Sequence, residues 1–87
     1  MANHKSAAKQ ARRNEARRLR NRWWRSRLRS ALKTYRAAVD AGEKEKAGSL
    51  LAPTLGLVDK TAKAGVIHDN TAARTKSRLQ AAYNKLG

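Results

Sequence analysis

The sequence contains no cysteine and no long apolar run, and both absences exclude classes of protein. Without cysteine there is no disulfide bond, no thiolate metal ligand and no cysteine nucleophile. No apolar run approaches the roughly 20 residues that a helix needs to cross a bilayer. The first residues also lack the apolar core of a secretory signal, so we expect a cytoplasmic protein.

Helix-breaking residues are scarce as well, because the 87 residues include one proline and five glycines. A chain of this length forms at most one domain, and it buries only about 60–65% of its unfolded surface. Seventeen of its apolar residues are alanines, which favours close-packed helices around a few large side chains. We therefore predict a single domain, residues 1–87, without an enclosed active site.

Acidic residues are few, since six Asp and Glu stand against 21 Lys and Arg, for a net charge of +15. Between Lys5 and Arg29 there are eleven basic residues and one acid, Glu15. Repulsion of this size opposes compaction, so a partner that neutralises it is expected. Because Arg and Lys contact phosphates and release condensed counterions, we predict a nucleic-acid partner; the alternative is a solvated basic tail.

The basic segment opens the first of three predicted helices, residues 6–41. Ser6 is a suitable N-cap, and Gly42 is a suitable residue just past the C-terminus. Apolar residues between positions 24 and 39 recur on one face, as in a helix that packs on a core. Upstream of about residue 20 the charges occupy every face, so we expect about four turns to project beyond the bundle.

A second helix is predicted over residues 43–64 and a third over residues 69–86. Pro53 lacks a backbone donor, so we expect a kink near it, or two short helices that meet there. The cap of the third helix is predicted to be Asp69, Asn70 or Thr71. Short connections between three helices predict an all-α, antiparallel bundle with an overlong, projecting basic first helix.

The predicted core faces follow the helical period. On the first helix they comprise Trp24, Leu28, Ala31, Leu32, Tyr35, Ala38 and Val39. On the second they comprise Ala47, Leu50, Leu51, Leu55, Val58 and Ala62, and on the third Ala72, Leu79, Ala82, Tyr83 and Leu86. A separate basic face on the third helix, predicted to be a second contact surface, consists of Arg74, Arg78 and Lys85.

Two short motifs each have two interpretations. Trp23-Trp24 lies where the bundle should end; either both rings pack and seal that end, or Trp23 stacks on an unpaired base or ribose of RNA. His68-Asp69-Asn70 combines residue types that are common in catalytic and metal sites. The sequence shows no third metal ligand and no positioned nucleophile to go with them. A helix start that meets a phosphate is the better interpretation, so we predict no enzyme activity, no metal and no cofactor.

Two segments of the sequence resemble one protein family. Residues 1–7 read MANHKSA, and residues 65–79 read GVIHDNTAARTKSRL, which is similar to the motif G-x-I/L-H-x-N-x-A-A-R-x-K-S-x-L. Both segments resemble the bacterial small-subunit ribosomal protein twenty family. The similarity extends over nearly the whole chain in length, charge and helix order, and the second motif is long enough to be specific.

The resemblance implies a three-helix bundle with an extended first helix, which binds small-subunit (16S) ribosomal RNA directly, early in assembly, and has no enzymatic activity. It implies a place in the cytoplasmic ribosome and only peripheral contact with other ribosomal proteins, without a membrane or a small-molecule substrate. The RNA-binding residues that it implies are Lys5, Ser6, Lys9, Arg12, Arg13, Arg17, Arg18, Arg20, Arg22, Arg25, Arg29, His68, Asn70, Arg74, Lys76 and Arg78.

The sequence departs from this family at two places. Asp69 stands where the family usually has a neutral or basic residue, and Trp23-Trp24 replaces smaller or less aromatic residues, so the resemblance implies no role for the pair. From composition alone, a histone-like or architectural DNA-binding protein would use the same arginines. A membrane-active amphipathic peptide is a third alternative, although residues 9–22 contain only Leu19 as a large apolar residue.

Overall fold

The computed structural model describes residues 2–86, and side chains from residue 7 onward. It consists of three helices, α1 (Ala2–Asp40), α2 (Lys44–Lys63) and α3 (Asp69–Asn84), and the described part of the chain contains no strand. The all-α prediction is therefore confirmed. The molecule measures 65 × 20 × 15 Å, because the 39 residues of α1 rise about 1.5 Å each.

Helix α1 begins at Ala2, four residues earlier than predicted. Ser6 consequently lies inside the helix, and its predicted role as N-cap is wrong. No glycine or proline occurs between Ala2 and Ala41, and alanine is the strongest helix former, so nothing in the sequence stops the helix at Ser6. The side chains of Lys5 and Ser6 lie outside the described residues.

Glycine ends both α1 and α2 in the same way. Gly42 has φ of 71° and Gly65 has φ of 80°, a left-handed conformation that glycine adopts without steric cost. The Glu43 amide donates to the Ala38 carbonyl at 3.0 Å, and an equivalent bond closes α2, so each helix ends in a Schellman motif. The reversals that follow are short, and they place successive helices antiparallel.

Helix α2 is continuous from Lys44 to Lys63 and contains Pro53. The alternative of two short helices meeting at the proline is therefore wrong, whereas the kink stays a prediction. Pro53 is exposed, while the adjacent Thr54 and the following Val58 are buried. Burial on the opposite face stabilises the helix on both sides of the proline, which offsets the backbone hydrogen bond that proline cannot make.

The core lies mainly along α2, which packs against both α1 and α3. Helices α1 and α3 meet at Tyr35, which is fully buried and whose hydroxyl donates to the Leu79 carbonyl of α3 at 2.6 Å. Most of the predicted core is found at the interfaces. Its fully enclosed members include Ala38, Ala47 and Val58, whereas Leu50, Leu51, Leu55 and Tyr83 are half-buried around them.

Two buried threonines were not predicted as core. The Thr54 hydroxyl donates to the Leu50 carbonyl at 2.6 Å, and the Thr61 hydroxyl donates to the Leu57 carbonyl at 2.7 Å. These bonds to the preceding turn pair the hydroxyls, which offsets the cost of removing them from water. Together with Ala47 they recur every seven residues, a heptad spacing that was present in the sequence.

We predict that the substitution Tyr35→Phe lowers the free energy of unfolding at neutral pH by about 0.5–1.5 kcal/mol, the net value of one hydrogen bond. Burial raises the pKa of the Tyr35 phenol, and Tyr83 adds to the shift. The folded state therefore holds this proton more tightly than the unfolded state. The resulting stabilisation is present below about pH 10 and is lost as pH rises through the folded pKa.

Denaturant unfolding of both proteins from neutral to alkaline pH checks this prediction. The stability difference between the unmodified protein and Tyr35→Phe should shrink above about pH 10. A difference that stays constant with pH would show that the phenol does not titrate differently in the folded state.

Candidate nucleic-acid interface

The basic arm, residues 7–20 of α1, projects beyond the bundle. Every one of its side chains is exposed, and its six Lys and Arg are accompanied by one acid, Glu15. A helix that is charged on all faces has no face that a protein core would bury. The predicted projection is thus confirmed, and the arm is accessible to a partner from every side.

Arg20 marks the point where the arm leaves the bundle. Its guanidinium Nη2 donates to the carbonyl of Ala64, the C-cap residue of α2, at 3.3 Å. A cation at a helix C-terminus is favourable, because the last carbonyls are unpaired and carry partial negative charge. Arg20 therefore has a partner within the protein, and its remaining guanidinium donors stay available to a phosphate.

A basic stripe runs along one flank of α1, from the arm onto the bundle. This shallow groove is lined by Asn14, Arg17, Arg18, Asn21, Arg22, Arg25, Ser26 and Arg29. Its ends are 15 residues apart, so it is about 22 Å long. It contains five arginines, no acid and three neutral hydrogen-bonding side chains, a composition suited to successive phosphates of a nucleic-acid backbone.

The predicted residues on α3 differ in their surroundings. Arg74 and Arg78 are exposed one turn apart. Lys76 instead forms an ion pair with Asp59 of α2, with Nζ and Oδ1 2.9 Å apart. The predicted RNA-binding residues on α3 therefore do not form one uniform surface. An exposed ion pair of this kind contributes at most about 1 kcal/mol, so a phosphate can still compete for Lys76.

His68 is the N-cap of α3, and its Nδ1 accepts a hydrogen bond from the Asn70 amide at 3.0 Å. The prediction that Asp69, Asn70 or Thr71 supplies the cap is therefore wrong. Because Nδ1 accepts, the neutral ring carries its proton on Nε2, which remains a donor. His68 is exposed, so this donor can reach a phosphate while the opposite ring nitrogen organises the helix start.

The two tryptophans have different environments. Their rings meet edge to face, with centroids 4.9 Å apart and an interplanar angle of 83°. Trp24 is half-buried, but 51% of Trp23 is exposed. Of the two interpretations of this pair, the one in which both rings pack and seal the bundle therefore does not hold for Trp23. One turn further on, the guanidinium carbon of Arg27 lies 4.7 Å from the centroid of the Trp23 ring.

The Trp23 groove, as we call the open groove between α1 and α2 beside this ring, has a volume of about 690 Å³. Besides the two tryptophans, Arg27, Thr34, Gly56 and Lys60 line it. Arg25 of the basic stripe and Arg27 of the Trp23 groove are two residues apart, which is about 200° around the helix. The stripe and the groove therefore lie on opposite flanks of α1.

Comparison with known proteins decides the family. Residues 2–84 match the family described as Ribosomal protein S20. The chain belongs to the ribosomal protein S20 family. The small ribosomal subunit protein bS20 of Mycolicibacterium smegmatis is 55% identical over 86 residues, which cover 99% of this chain and all of the relative. The proteins of the same name from Mycobacterium sp. (strain JLS) and Mycobacterium ulcerans are 54% and 52% identical over 99% and 100% of this chain.

Membership of the S20 family confirms the resemblance that the sequence showed. A ribosomal protein family implies a structural role and not a catalytic one. Within the described residues, no helix is both long enough and apolar enough to cross a membrane.

Sequence reasoning singled out Trp23 and Trp24 but did not predict the groove beside them. Arg27 follows Trp23 by four residues, the spacing at which helical side chains meet, so this contact had a signal in the sequence. Gly56 and Lys60 had none, because they reach the groove only through the packing of α2 on α1. Local periodicity does not reveal such contacts between helices.

Proposed function

We propose that this chain is a structural constituent of the small ribosomal subunit that binds small-subunit ribosomal RNA and stabilises its fold during assembly. It then resides in the cytoplasm, within the ribosome, and meets other ribosomal proteins only peripherally. The observation that carries the proposal is the basic arm, which is exposed on all sides and continues into an acid-free stripe of arginines. The whole chain acts as one RNA-binding unit.

The proposed contacts are mainly with phosphates. Each neutralised phosphate releases condensed counterions, which supplies affinity without reading the base sequence. The deep major groove of A-form RNA hides the base edges from side chains, so RNA shape and junction geometry provide the specificity. The bundle contributes pre-organisation, because a helix that is already docked at one end loses less freedom on binding than an unfolded basic peptide.

The proposed RNA surface has three parts. The arm and the basic stripe supply Lys5, Ser6, Lys9, Arg12, Arg13, Arg17, Arg18, Arg20, Arg22, Arg25 and Arg29. The start of α3 supplies His68 and Asn70, and its exposed face supplies Arg74, Lys76 and Arg78. Lys76 joins this surface by exchanging Asp59 for a phosphate.

We further propose that the chain has no enzymatic activity. The polar cluster His68-Asp69-Asn70 has a structural role instead of a catalytic one. His68 Nδ1 accepts a hydrogen bond from the Asn70 amide and so caps α3. Both the basic stripe and the Trp23 groove are open to solvent, where electrostatic stabilisation of a developing charge is weaker than in a site that excludes water.

A histone-like DNA-binding protein is the second candidate, since the same arginines would serve it. Membership of the S20 family favours RNA over DNA. Filter binding of the full chain at matched salt distinguishes the two. We expect tighter binding to folded small-subunit RNA than to random duplex DNA of equal length. Equal affinity for both would overturn the ribosomal proposal.

Salt dependence tests the phosphate contacts directly. Replacing Arg17 and Arg18 by alanine should reduce the slope of log affinity against log salt by roughly 2, and by less where the RNA is single-stranded. The matched control is the replacement of Lys44 and Lys46, which removes the same charge at the far end of the bundle and should leave the slope unchanged. If both double variants change the slope equally, net charge alone governs binding and the stripe has no special role.

A further inference from the structure

The Trp23 groove is a candidate binding site that the phosphate contacts of α1 do not use. It lies on the flank of α1 opposite the basic stripe, so an RNA helix lying along the stripe leaves it unoccupied. Its volume of about 690 Å³ gives room for a small organic molecule, one side of which would remain open to solvent. Trp23, which borders it, is 51% exposed.

The charges around the groove indicate what it binds. Arg27 of α1 and Lys60 of α2 both line it, and none of the described residues that line it is acidic. The two cations favour a ligand with negative charge, and the exposed Trp23 ring favours one with a flat aromatic part. A nucleotide combines these two properties, with a phosphate for the cations and a base for the aromatic ring.

The contacts of Trp23 and Thr34 make a base fit better than an aliphatic group. The Arg27 guanidinium already stacks on the Trp23 ring, and a cation on an exposed aromatic ring is held only weakly. A planar base can take the place of this guanidinium and release Arg27 to a neighbouring phosphate. Thr34 also lines the groove, and its hydroxyl donates its proton to the Ser30 carbonyl at 3.0 Å. Its oxygen therefore remains an acceptor for a base N–H.

We propose that the Trp23 groove binds one unpaired nucleotide of the ribosomal RNA, with its base stacked on Trp23 and its phosphates held by Arg27 and Lys60. This inference rests on the proposed function, since it assumes that the chain binds ribosomal RNA. It adds recognition of a single-stranded position to the phosphate contacts made by the arm. Unpaired RNA is the form in which bases are free to stack on aromatic side chains.

Gly56 allows the groove to be closed without altering Trp23. A Cβ atom added at Gly56 would meet nothing within 4 Å, and glycine is a poor helix former. The substitution Gly56→Leu therefore fills the groove from α2 while favouring the helix. Gly56→Ala is the matched control, because it brings the same helix preference but little volume. Far-UV circular dichroism verifies that both variants keep the helical content of the unmodified protein.

The measurement uses the tryptophan fluorescence of the full chain, which has two tryptophans. A single-stranded oligoadenylate should quench this fluorescence in the unmodified protein and in Gly56→Ala, but much less in Gly56→Leu. A fully paired RNA duplex should quench it weakly in all three. The variant Trp23→Leu should lose most of the quenching and bind the oligoadenylate roughly tenfold more weakly, as expected for one stacked base.

Each remaining outcome overturns the inference. Equal quenching in Gly56→Leu and in the unmodified protein would show that the base does not enter the groove. Quenching by free adenosine monophosphate as strong as that by the oligoadenylate would assign the groove to a free nucleotide. The failure of the proposed function is distinguishable, because it appears as equal affinity for small-subunit RNA and duplex DNA, whatever the fluorescence shows.

Discussion

Helix α1 contains thirteen Lys and Arg and only two acids, Glu15 and Asp40, so like charges lie one turn apart along most of its length. Such pairs destabilise an isolated helix by a few tenths of a kcal/mol each. The helix forms despite this repulsion because its sequence is rich in alanine and arginine, which are strong helix formers. Its second half also packs on α2, so the repulsion acts mainly on the arm.

Contacts with the rest of the bundle stabilise α1 against this repulsion, but only from Arg20 onward. Tyr35 joins α1 to α3 through a buried hydrogen bond, the Schellman turn at Gly42 returns the chain onto α1, and Arg20 contacts the end of α2. None of these contacts reaches the arm upstream of Arg20. Any ligand that binds only the folded state shifts the folding equilibrium towards that state. A polyanion that binds the arm and neutralises its charge therefore also stabilises the folded chain.

Much of this arrangement was predictable from local signals. The 3.6-residue period predicted the three helices and most of the core, and Gly42 predicted the end of the first helix. The loss of periodicity upstream of about residue 20 gave the projection of the arm. The sequence did not predict contacts between helices, nor which of several adjacent residues caps α3. His68 caps α3 although Asp69, Asn70 and Thr71 all have stronger or comparable capping preferences, and the Asp59–Lys76 pair follows from the register between α2 and α3.

Because the arm is exposed on every side, we propose that ribosomal RNA surrounds it and does not merely lie along one side of it. Photocrosslinking side chains placed singly at four exposed, uncharged positions test this claim, since the positions face different directions around the helix: Gln10, Ala11, Ala16 and Leu19. With Ala52 on α2 as the control position, we expect crosslinks to small-subunit RNA from all four arm positions. Crosslinks confined to positions on one side would show that the arm lies on a surface, and would contradict the account.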